Sequence, residues 1–293
     1  MAQYLIATSS TADLTRDWLD AHQVPFIAYS YTSDGQAFED DCREESRAKV
    51  YASMRKGALL KTSMISEYRY EEFFRELLQQ GRDVIFLDMS QKMSVSYQNS
   101  IHAAEKVHAE FPERQLYVMD TLCISGGLGY LVKEMVHRME TGMSWDEVIA
   151  WGERHKLRIA HRFTVDNLNY LKAGGRVSNV AALVGTMLSI KPVLYVPDAG
   201  TLDVLEKVRG RKNALHSILN GVLRDLEGVK TKDLPVTILH ADCAEDAFWL
   251  CDELRRAHPD LGEITVSGLG VVIGAHYGPG LLTVFYMCNG RAK

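Results

Sequence analysis

The sequence lacks several features that would place it in a specialised class of protein. No uninterrupted apolar stretch approaches the roughly 18 residues needed to cross a bilayer, and no basic flank precedes a secretory apolar core at the start. The five cysteines are odd in number, widely spaced and without a CxxC pair. That pattern argues against disulfide frameworks and zinc fingers, and it is typical of free thiols in a reducing cytosol. We therefore expect a cytoplasmic protein without a membrane span.

Concentrated positive charge is also missing. The formal net charge is −5, and the basic residues are scattered rather than massed in blocks. We therefore expect neither a nucleic-acid-binding surface nor a polybasic membrane anchor. With 46% hydrophobic and 24% charged residues, the composition is that of an ordinary globular protein. A length of 293 residues favours one large or two medium domains.

The short motifs of nucleotide-binding proteins and of many hydrolases are absent as well. The glycine-rich segments SGGLGYL and GLGVVIG do not match GxGxxG, and no GxxxxGK[ST] occurs. No GxSxG nucleophile motif is present either. Dinucleotide binding is therefore disfavoured. A hydrolase that uses a serine and a histidine stays open, because sequence spacing cannot show whether the two lie within hydrogen-bonding reach.

What the chain does contain is a regular alternation of short apolar segments and amphipathic segments, which predicts an α/β fold. The pattern changes after the apolar segment at 157–165, and we place a domain boundary there. The predicted domains are an N-terminal α/β domain over 1–160 and a C-terminal α/β domain over 161–293. The predicted strands include 4–8, 24–31, 83–89, 114–121 and 157–165, and the predicted helices include 66–81, 94–109, 144–156, 211–227 and 244–257.

Hydroxyl side chains cluster in two segments, TSMIS at 62–66 and SQKMSVSYQNS at 90–100. We interpret both as loops that precede helices. Such loops direct hydroxyls and backbone N–H groups to one point, where a helix N-terminus adds positive partial charge. That arrangement suits a carboxylate or a phosphate. The alternative is that Ser66 and Ser94 act only as helix caps.

His276 has an unusual setting, since it lies in the glycine-rich segment GAHYGPG, beside an apolar run that we interpret as a strand. A pKa near neutrality suits histidine to anion pairing or proton transfer. The alternative is a hydrogen-bonded core residue. A second polar feature is a basic cluster, which indicates either a docking site for phosphate or an acidic partner, or a solvated surface. Its members are Lys207, Arg209, Arg211 and Lys212.

Two long segments together resemble the DegV family of bacterial fatty-acid-binding proteins, which includes the fatty-acid kinase B subunits. They are FTVDNLNYLKAGGRVSNVAALVGTMLSIKPVL at 163–194 and GVVIGAHYGPG at 270–280, and the resemblance extends almost from end to end. It implies a two-domain α/β fold, an N-terminal α/β sandwich with a mostly parallel sheet followed by a C-terminal α/β domain. It also implies a buried long-chain fatty acid as ligand and no cofactor.

Particular residues take roles through the same resemblance. It implies that Thr62 and Ser94 hold the fatty-acid carboxylate, with His276 close by, and that Arg209 docks a kinase partner. The loops depart from the family pattern at Met64, Ile65 and Val95, where the family has glutamine, proline and glycine. We expect the valine to alter the loop backbone or to narrow the head-group pocket. A further departure is Ser9-Ser10, where the family has Asp-Ser.

The function predicted on this basis is that of a carrier and not of a self-sufficient enzyme. It would bury the acyl chain and present the carboxylate to a partner ATP-dependent kinase for acyl-phosphate formation. Two alternatives stay open. One is a serine esterase or thioesterase that uses Ser94 and His276, and the other is a lipid-responsive regulatory module.

Overall fold

The computed structural model describes residues 4–176 and 189–291, so the segment 163–194 is described only in part. The described strands, numbered along the chain, are β1 Tyr4–Ser9, β2 Phe26–Ile27, β3 Ser30–Ser33, β4 Gln36–Glu39, β5 Leu60–Ser63, β6 Asp83–Asp88, β7 Leu116–Asp120, β8 Ile159–Thr164, β9 Ile190–Tyr195, β10 Asp203–Arg209, β11 Val236–His240, β12 Ile264–Gly268 and β13 Leu282–Met287.

The described α-helices are α1 Arg16–Ala21, α2 Glu44–Arg55, α3 Glu67–Leu78, α4 Ser96–Glu110, α5 Gly126–Glu140, α6 Trp145–His155, α7 Leu168–Gly174, α8 Arg211–Asp225, α9 Ala244–Ala257 and α10 Val271–Tyr277. Among the residues that the structure describes, no helix is long and apolar enough to cross a membrane.

The first sheet is wholly parallel, with the strand order β2-β1-β6-β7. Its two central strands are buried almost throughout, every residue of β1 included. Burial on both faces explains why these strands are nearly continuous apolar runs in the sequence, since helices cover both sides of a parallel sheet. The predicted α/β fold with a parallel N-terminal sheet is confirmed.

The second large sheet has six strands in the order β10-β9-β8-β13-β11-β12. Its pairs are antiparallel except for β11 and β12, which are parallel. A small antiparallel sheet has the order β4-β3-β5. Strand β8 spans the boundary predicted at residue 160, and that division stays a prediction.

The predicted strand at 24–31 is wrong as a single element. Residues Phe26–Ile27 pair with β1 in the parallel sheet, whereas Ser30–Ser33 pair with β4 and β5 in the small sheet. The loop predicted at 62–66 is also wrong at its start, because Thr62 and Ser63 belong to β5. Strand β4 is exposed along its whole length, and its four residues QAFE do not alternate between apolar and polar, so they give no strand signal.

The apolar run before His276 is a helix, so its interpretation as a strand is wrong. Strand β12 ends at Gly268, and α10 begins two residues after Leu269 and carries His276 in its last turn. Val271, Val272 and Ile273 are all buried. A short run that is apolar on every side has no periodicity to separate a buried helix from a buried strand, which explains the error.

Helix α5 lies between the two large sheets and contacts strands of both, β1 and β6 on one side and β8, β11 and β13 on the other. The glycines of SGGLGYL make this close approach possible. A Cβ on Gly126 would lie 2.6 Å from the ring of Phe285, and one on Gly127 would lie 2.0 Å from Nε2 of His161. A Cβ on Gly129 would lie 2.3 Å from the carbonyl oxygen of Ala12. The glycine-rich segment is therefore a packing surface.

The imidazole beneath Gly127 is fixed by hydrogen bonds on both of its nitrogens. Nε2 of His161 accepts from the backbone N–H of Ile124 at 3.2 Å, and Nδ1 donates to the carbonyl oxygen of Ile159 at 3.0 Å. Burial holds the pKa of His161 well below its usual value of 6.5, so the ring stays neutral. Because the ring is held at both nitrogens, it cannot move aside for a larger neighbour.

We expect Gly127→Ala to destabilise the protein. Alanine gains roughly 1 kcal/mol of helix propensity over glycine, but overpacking a rigid core costs about 1–3 kcal/mol, and a 2.0 Å contact belongs at the upper end of that range. Thermal denaturation of the variant should therefore show a lower midpoint than that of the unmodified protein. Gly290→Ala is the control, because no described atom lies within 4 Å of the position that its Cβ would take. Equal midpoints for the two variants would contradict the packing role of Gly127.

Candidate functional site

A cavity of about 380 Å³ lies at the carboxyl ends of the parallel strands, between the small sheet and α10. Its volume is within the range of roughly 300–1,000 Å³ that is common for small-molecule sites. The loops that follow β6 and β7 contribute Met89 and Ile124, and α10 contributes Val272, Ile273 and Tyr277. All five of these side chains are buried. One wall of the cavity is therefore strongly apolar.

Thr62 and His276 lie side by side on this cavity although 214 positions separate them in the sequence. Oγ1 of Thr62 is 2.9 Å from Nε2 of His276, which is hydrogen-bonding distance. The pair forms because α10 packs against β5. Both groups are uncharged hydrogen-bonding groups that face the same space.

Ser94 lines the same cavity, at the start of α4. Its Oγ accepts from the backbone N–H of Ser96 at 3.1 Å and donates to Oγ of Ser96 at 2.9 Å. Oγ of Ser96 also accepts from the backbone N–H of Ile65 at 3.0 Å, which ties the loop before α3 to the start of α4. Ser94 thus precedes the N-cap residue Val95, accepts from the first N–H of α4 and also borders the cavity.

The residues that depart from the family pattern lie at or near this cavity. Met64 and Val95 line the cavity and are 60% and 61% exposed, whereas Ile65 is fully buried. Val95 has φ −69° and ψ −8°, an ordinary right-handed conformation that any L-residue adopts without strain. Valine is therefore accommodated without backbone strain, and its effect on the loop relative to glycine stays a prediction. Its side chain adds apolar surface at the rim.

Charge at the cavity has one sign. Lys92 and Arg176 are exposed and line it, and none of the described lining residues is acidic. In a protein of net charge −5, this is a local reversal of sign. The N-terminus of α4 adds further positive partial charge next to Ser94. The site is therefore suited to an anionic group attached to an apolar body.

The His276 imidazole is neutral. Burial lowers its pKa to about 4, and the Arg176 guanidinium contributes to the same shift, while the Gly174 backbone opposes it. Within the described part of the chain, no carboxylate is among the groups that shift this pKa. The ring therefore acts at neutral pH as a hydrogen-bonding group and not as a cation.

Arg209 is not brought to this cavity. It lies at the exposed end of β10, where its Nε donates to Oγ of Ser189 at 3.2 Å. Of the basic cluster around it, Arg211 is held in an ion pair with Asp246 at 2.8 Å. The structure thus separates Arg209 from Thr62, Ser94 and His276, which it brings together.

Sequence reasoning misses most of the residues that line this cavity, among them the polar side chains of Tyr29, Lys92 and Arg176. Tyr29 gives no signal, and Lys92 lies in the hydroxyl-rich segment at 90–100 without being singled out there. Arg176 follows the Gly174-Gly175 break, which marks a turn in the sequence but indicates no ligand. Each of these residues reaches the cavity through contacts between segments that are distant in the sequence.

Comparison with known proteins gives one consistent result. A protein-family model described as an uncharacterised protein of the DegV family matches residues 3–289. A DegV domain-containing protein of Clostridium perfringens is 34% identical over 288 residues, which cover 98% of this chain and 98% of that protein. The chain is therefore similar to these proteins over nearly its whole length.

Solved structures of similar fold include proteins reported to bind fatty acids. A DegV family protein of Thermus thermophilus, described as fatty-acid-binding, is 29% identical with a TM-score of 0.86, covering 98% of this chain and 100% of its own. A stearic-acid-binding protein of Eubacterium ventriosum is 25% identical with a TM-score of 0.87, covering 97% of this chain and 98% of its own. The two-domain α/β fold expected from the sequence is the fold of these relatives.

We expect His276 to titrate far below an ordinary histidine. An NMR titration of protein carrying ¹³C-labelled histidine should give a pKa of about 4 for the signal that His276→Gln removes. Arg176→Gln should raise this pKa, because a neighbouring cation disfavours the imidazolium, but burial should still keep it below 6.5. A pKa of 6.5 or above in the unmodified protein would contradict the buried, neutral ring.

Proposed function

The chain belongs to the DegV family, and we propose on that premise that it binds a long-chain fatty acid in the cavity at the carboxyl ends of the parallel strands. The carboxylate lies at Thr62, Ser94 and His276, and the acyl chain lies along the apolar wall. One observation carries the proposal. Three polar residues from separate segments meet in one cavity that has an apolar wall, and its described lining includes two cationic side chains and no acidic one.

The apolar wall supplies most of the affinity. Burial of an acyl chain contributes roughly 0.8 kcal/mol per CH₂ group, so a chain of many carbons binds tightly even after the entropic costs of association. Met89, Ile124, Val272 and Ile273 offer such a surface. A ligand with a short chain lacks this contribution and is disfavoured.

The polar end compensates for the loss of water around the carboxylate. An anion that leaves water without hydrogen bonds is strongly penalised. The hydroxyls of Thr62 and Ser94, which pair with His276 and Ser96 in the structure, can rotate toward the carboxylate. Arg176 at the rim provides the positive charge. Arg176, and not His276, therefore supplies the cation that pairs with the carboxylate, because the imidazole is uncharged near neutral pH.

The proposed role is that of a carrier which presents the bound acid to an ATP-dependent kinase for acyl-phosphate formation. The sequence contains no nucleotide-binding motif of its own. Arg209 is exposed on β10, away from the cavity, and is therefore available to a partner while the ligand is bound. The docking role of Arg209 rests on the family resemblance.

The esterase alternative has less support. The Ser94 hydroxyl donates to Ser96 and Nε2 of His276 pairs with Thr62, so the two are not paired with each other. A serine nucleophile needs a base in direct contact and a third group that orients this base. The pKa of His276 is shifted by Arg176 and Gly174, and by no carboxylate of the described chain that would orient the ring.

We expect Thr62→Val and Ser94→Ala to weaken fatty-acid binding. Hydrogen bonds to a charged group contribute about 1.5–3 kcal/mol, so each change should raise the dissociation constant for palmitate or oleate roughly ten- to hundredfold. The measurement is an isothermal calorimetric titration of delipidated protein with the fatty acid. Thr32→Val is the control, because Thr32 lies on the neighbouring strand β3 and does not line the cavity. Failure of the unmodified protein to bind any long-chain acid would disprove the proposed function.

Arg209→Glu should abolish acyl-phosphate formation with the kinase partner and leave fatty-acid affinity unchanged. The partner to test is an ATP-binding protein of the dihydroxyacetone-kinase type from the same genome. Arg256→Glu is the control, since it makes the same change of charge at an exposed arginine of α9. Fatty-acid binding without acyl phosphate in the unmodified protein would favour the lipid-responsive regulatory module. Equal acyl-phosphate yields for the two variants would exclude Arg209 from docking.

A further inference from the structure

Tyr29 is a buried cavity residue to which neither the sequence nor the family pattern gives a role. It lies between β2 and β3, is 2% exposed and lines the cavity together with Thr62 and Ser94. Its backbone is held on both sides, because its N–H donates to Oγ of Ser10 at 3.1 Å and its carbonyl accepts from the N–H of Asp40 at 2.9 Å. The ring is therefore anchored to a fixed stretch of chain.

The Tyr29 hydroxyl has no hydrogen-bond partner of ordinary geometry among the described residues. Its polar neighbours are Ser94, Ser96 and Tyr70, whose hydroxyls are close enough to influence its pKa. Two of these neighbours already use their protons elsewhere: Ser94 donates to Ser96, and Tyr70 donates to Oδ2 of Asp88 at 3.0 Å. An oxygen that donates elsewhere can still accept, but none of these oxygens has hydrogen-bonding geometry to the Tyr29 hydroxyl. The Tyr29 proton is therefore free for an acceptor in the cavity.

A buried phenol of this kind keeps its proton. Burial raises the pKa of Tyr29 well above its usual value of 10.0, and the nearby Asp88 acts in the same direction. The group is therefore a hydrogen-bond donor throughout the physiological pH range. A buried donor without a partner is unfavourable, and an acceptor in the cavity removes this cost.

We propose that Tyr29 is a further donor to the head group, so that its hydroxyl, together with those of Thr62 and Ser94, selects a carboxylate over an uncharged polar group. The inference rests on the proposed fatty-acid binding and adds the residue that sets head-group specificity. A carboxylate oxygen accepts two or more such bonds, and bonds to a charged acceptor are about twice as strong as bonds between neutral groups. An alcohol head group gains less from the same donor.

The test compares Tyr29→Phe with Tyr31→Phe in delipidated protein, using palmitate and hexadecanol as probes. Tyr31 is also buried, lies on the same stretch of chain and stacks on Phe38, but does not line the cavity. Tyr29→Phe should raise the dissociation constant for palmitate about ten- to hundredfold and that for hexadecanol less. Tyr31→Phe should leave both constants unchanged.

Thermal denaturation of the delipidated protein separates recognition from structure. Because Tyr29→Phe removes a hydroxyl that no described group satisfies, the midpoint of the delipidated variant should equal or exceed that of the unmodified protein. An unchanged palmitate affinity in Tyr29→Phe, where Thr62→Val weakens binding, overturns the inference and leaves the proposed function standing. A lowered midpoint with equal losses for acid and alcohol also overturns it, since it indicates a structural role. Absence of palmitate binding by the unmodified protein overturns both.

Discussion

The close approach of α5 to both large sheets is the constraint on which the rest of the structure depends. Glycines at 126, 127 and 129 leave no room for a side chain against Phe285, His161 and the backbone of Ala12. With the helix this close, the carboxyl ends of β6 and β7 lie opposite α10, and the cavity forms where they meet. The glycines of SGGLGYL therefore serve packing, and the proposed ligand site lies beside the helix they begin.

The position of α10 depends on a second set of buried contacts, made by α2. The Tyr51 hydroxyl donates to the carbonyl oxygens of Leu269 at 3.0 Å and Gly270 at 3.2 Å, and Nη1 of Arg47 donates to that of Gly268 at 2.7 Å. These bonds fix the three residues immediately before α10. His276 follows in the last turn of that helix, so its distance from Thr62 is set by side chains more than 200 positions away along the chain.

How much of this could be predicted from the sequence depends on the kind of element. Strands β1 and β6 and the long helices follow from apolar periodicity, because burial on a fixed face leaves a repeating pattern. The small sheet does not, since Gln36–Glu39 is exposed and lacks apolar–polar alternation, and its pairing with Ser30–Ser33 depends on tertiary contacts. Helix α10 has no periodicity to detect.

The site divides in the same way. Thr62, Ser94 and His276 are identified through motifs that extend over several residues, and all three line one cavity. Tyr29 carries no motif, and its proposed role depends on the groups around its hydroxyl. A pattern within the chain cannot reveal that this hydroxyl is buried without a hydrogen-bond partner among the described residues. Residues whose role depends on an unsatisfied hydrogen-bond donor can be identified only from the three-dimensional structure.

On the proposed function, the distribution of charge would let the site both take up and release a ligand. An ionised group deep in an apolar cavity is costly whenever its counter-ion is missing. Here the half-buried polar groups Thr62, Ser94 and His276 are all neutral, the last because burial lowers its pKa to about 4. The permanent charges of Lys92 and Arg176 stay at the exposed rim, where water can solvate them whether or not a ligand is bound. On the proposed function, the ligand thus brings its own buried charge with it, and the protein meets that charge with neutral donors that are stable before it arrives.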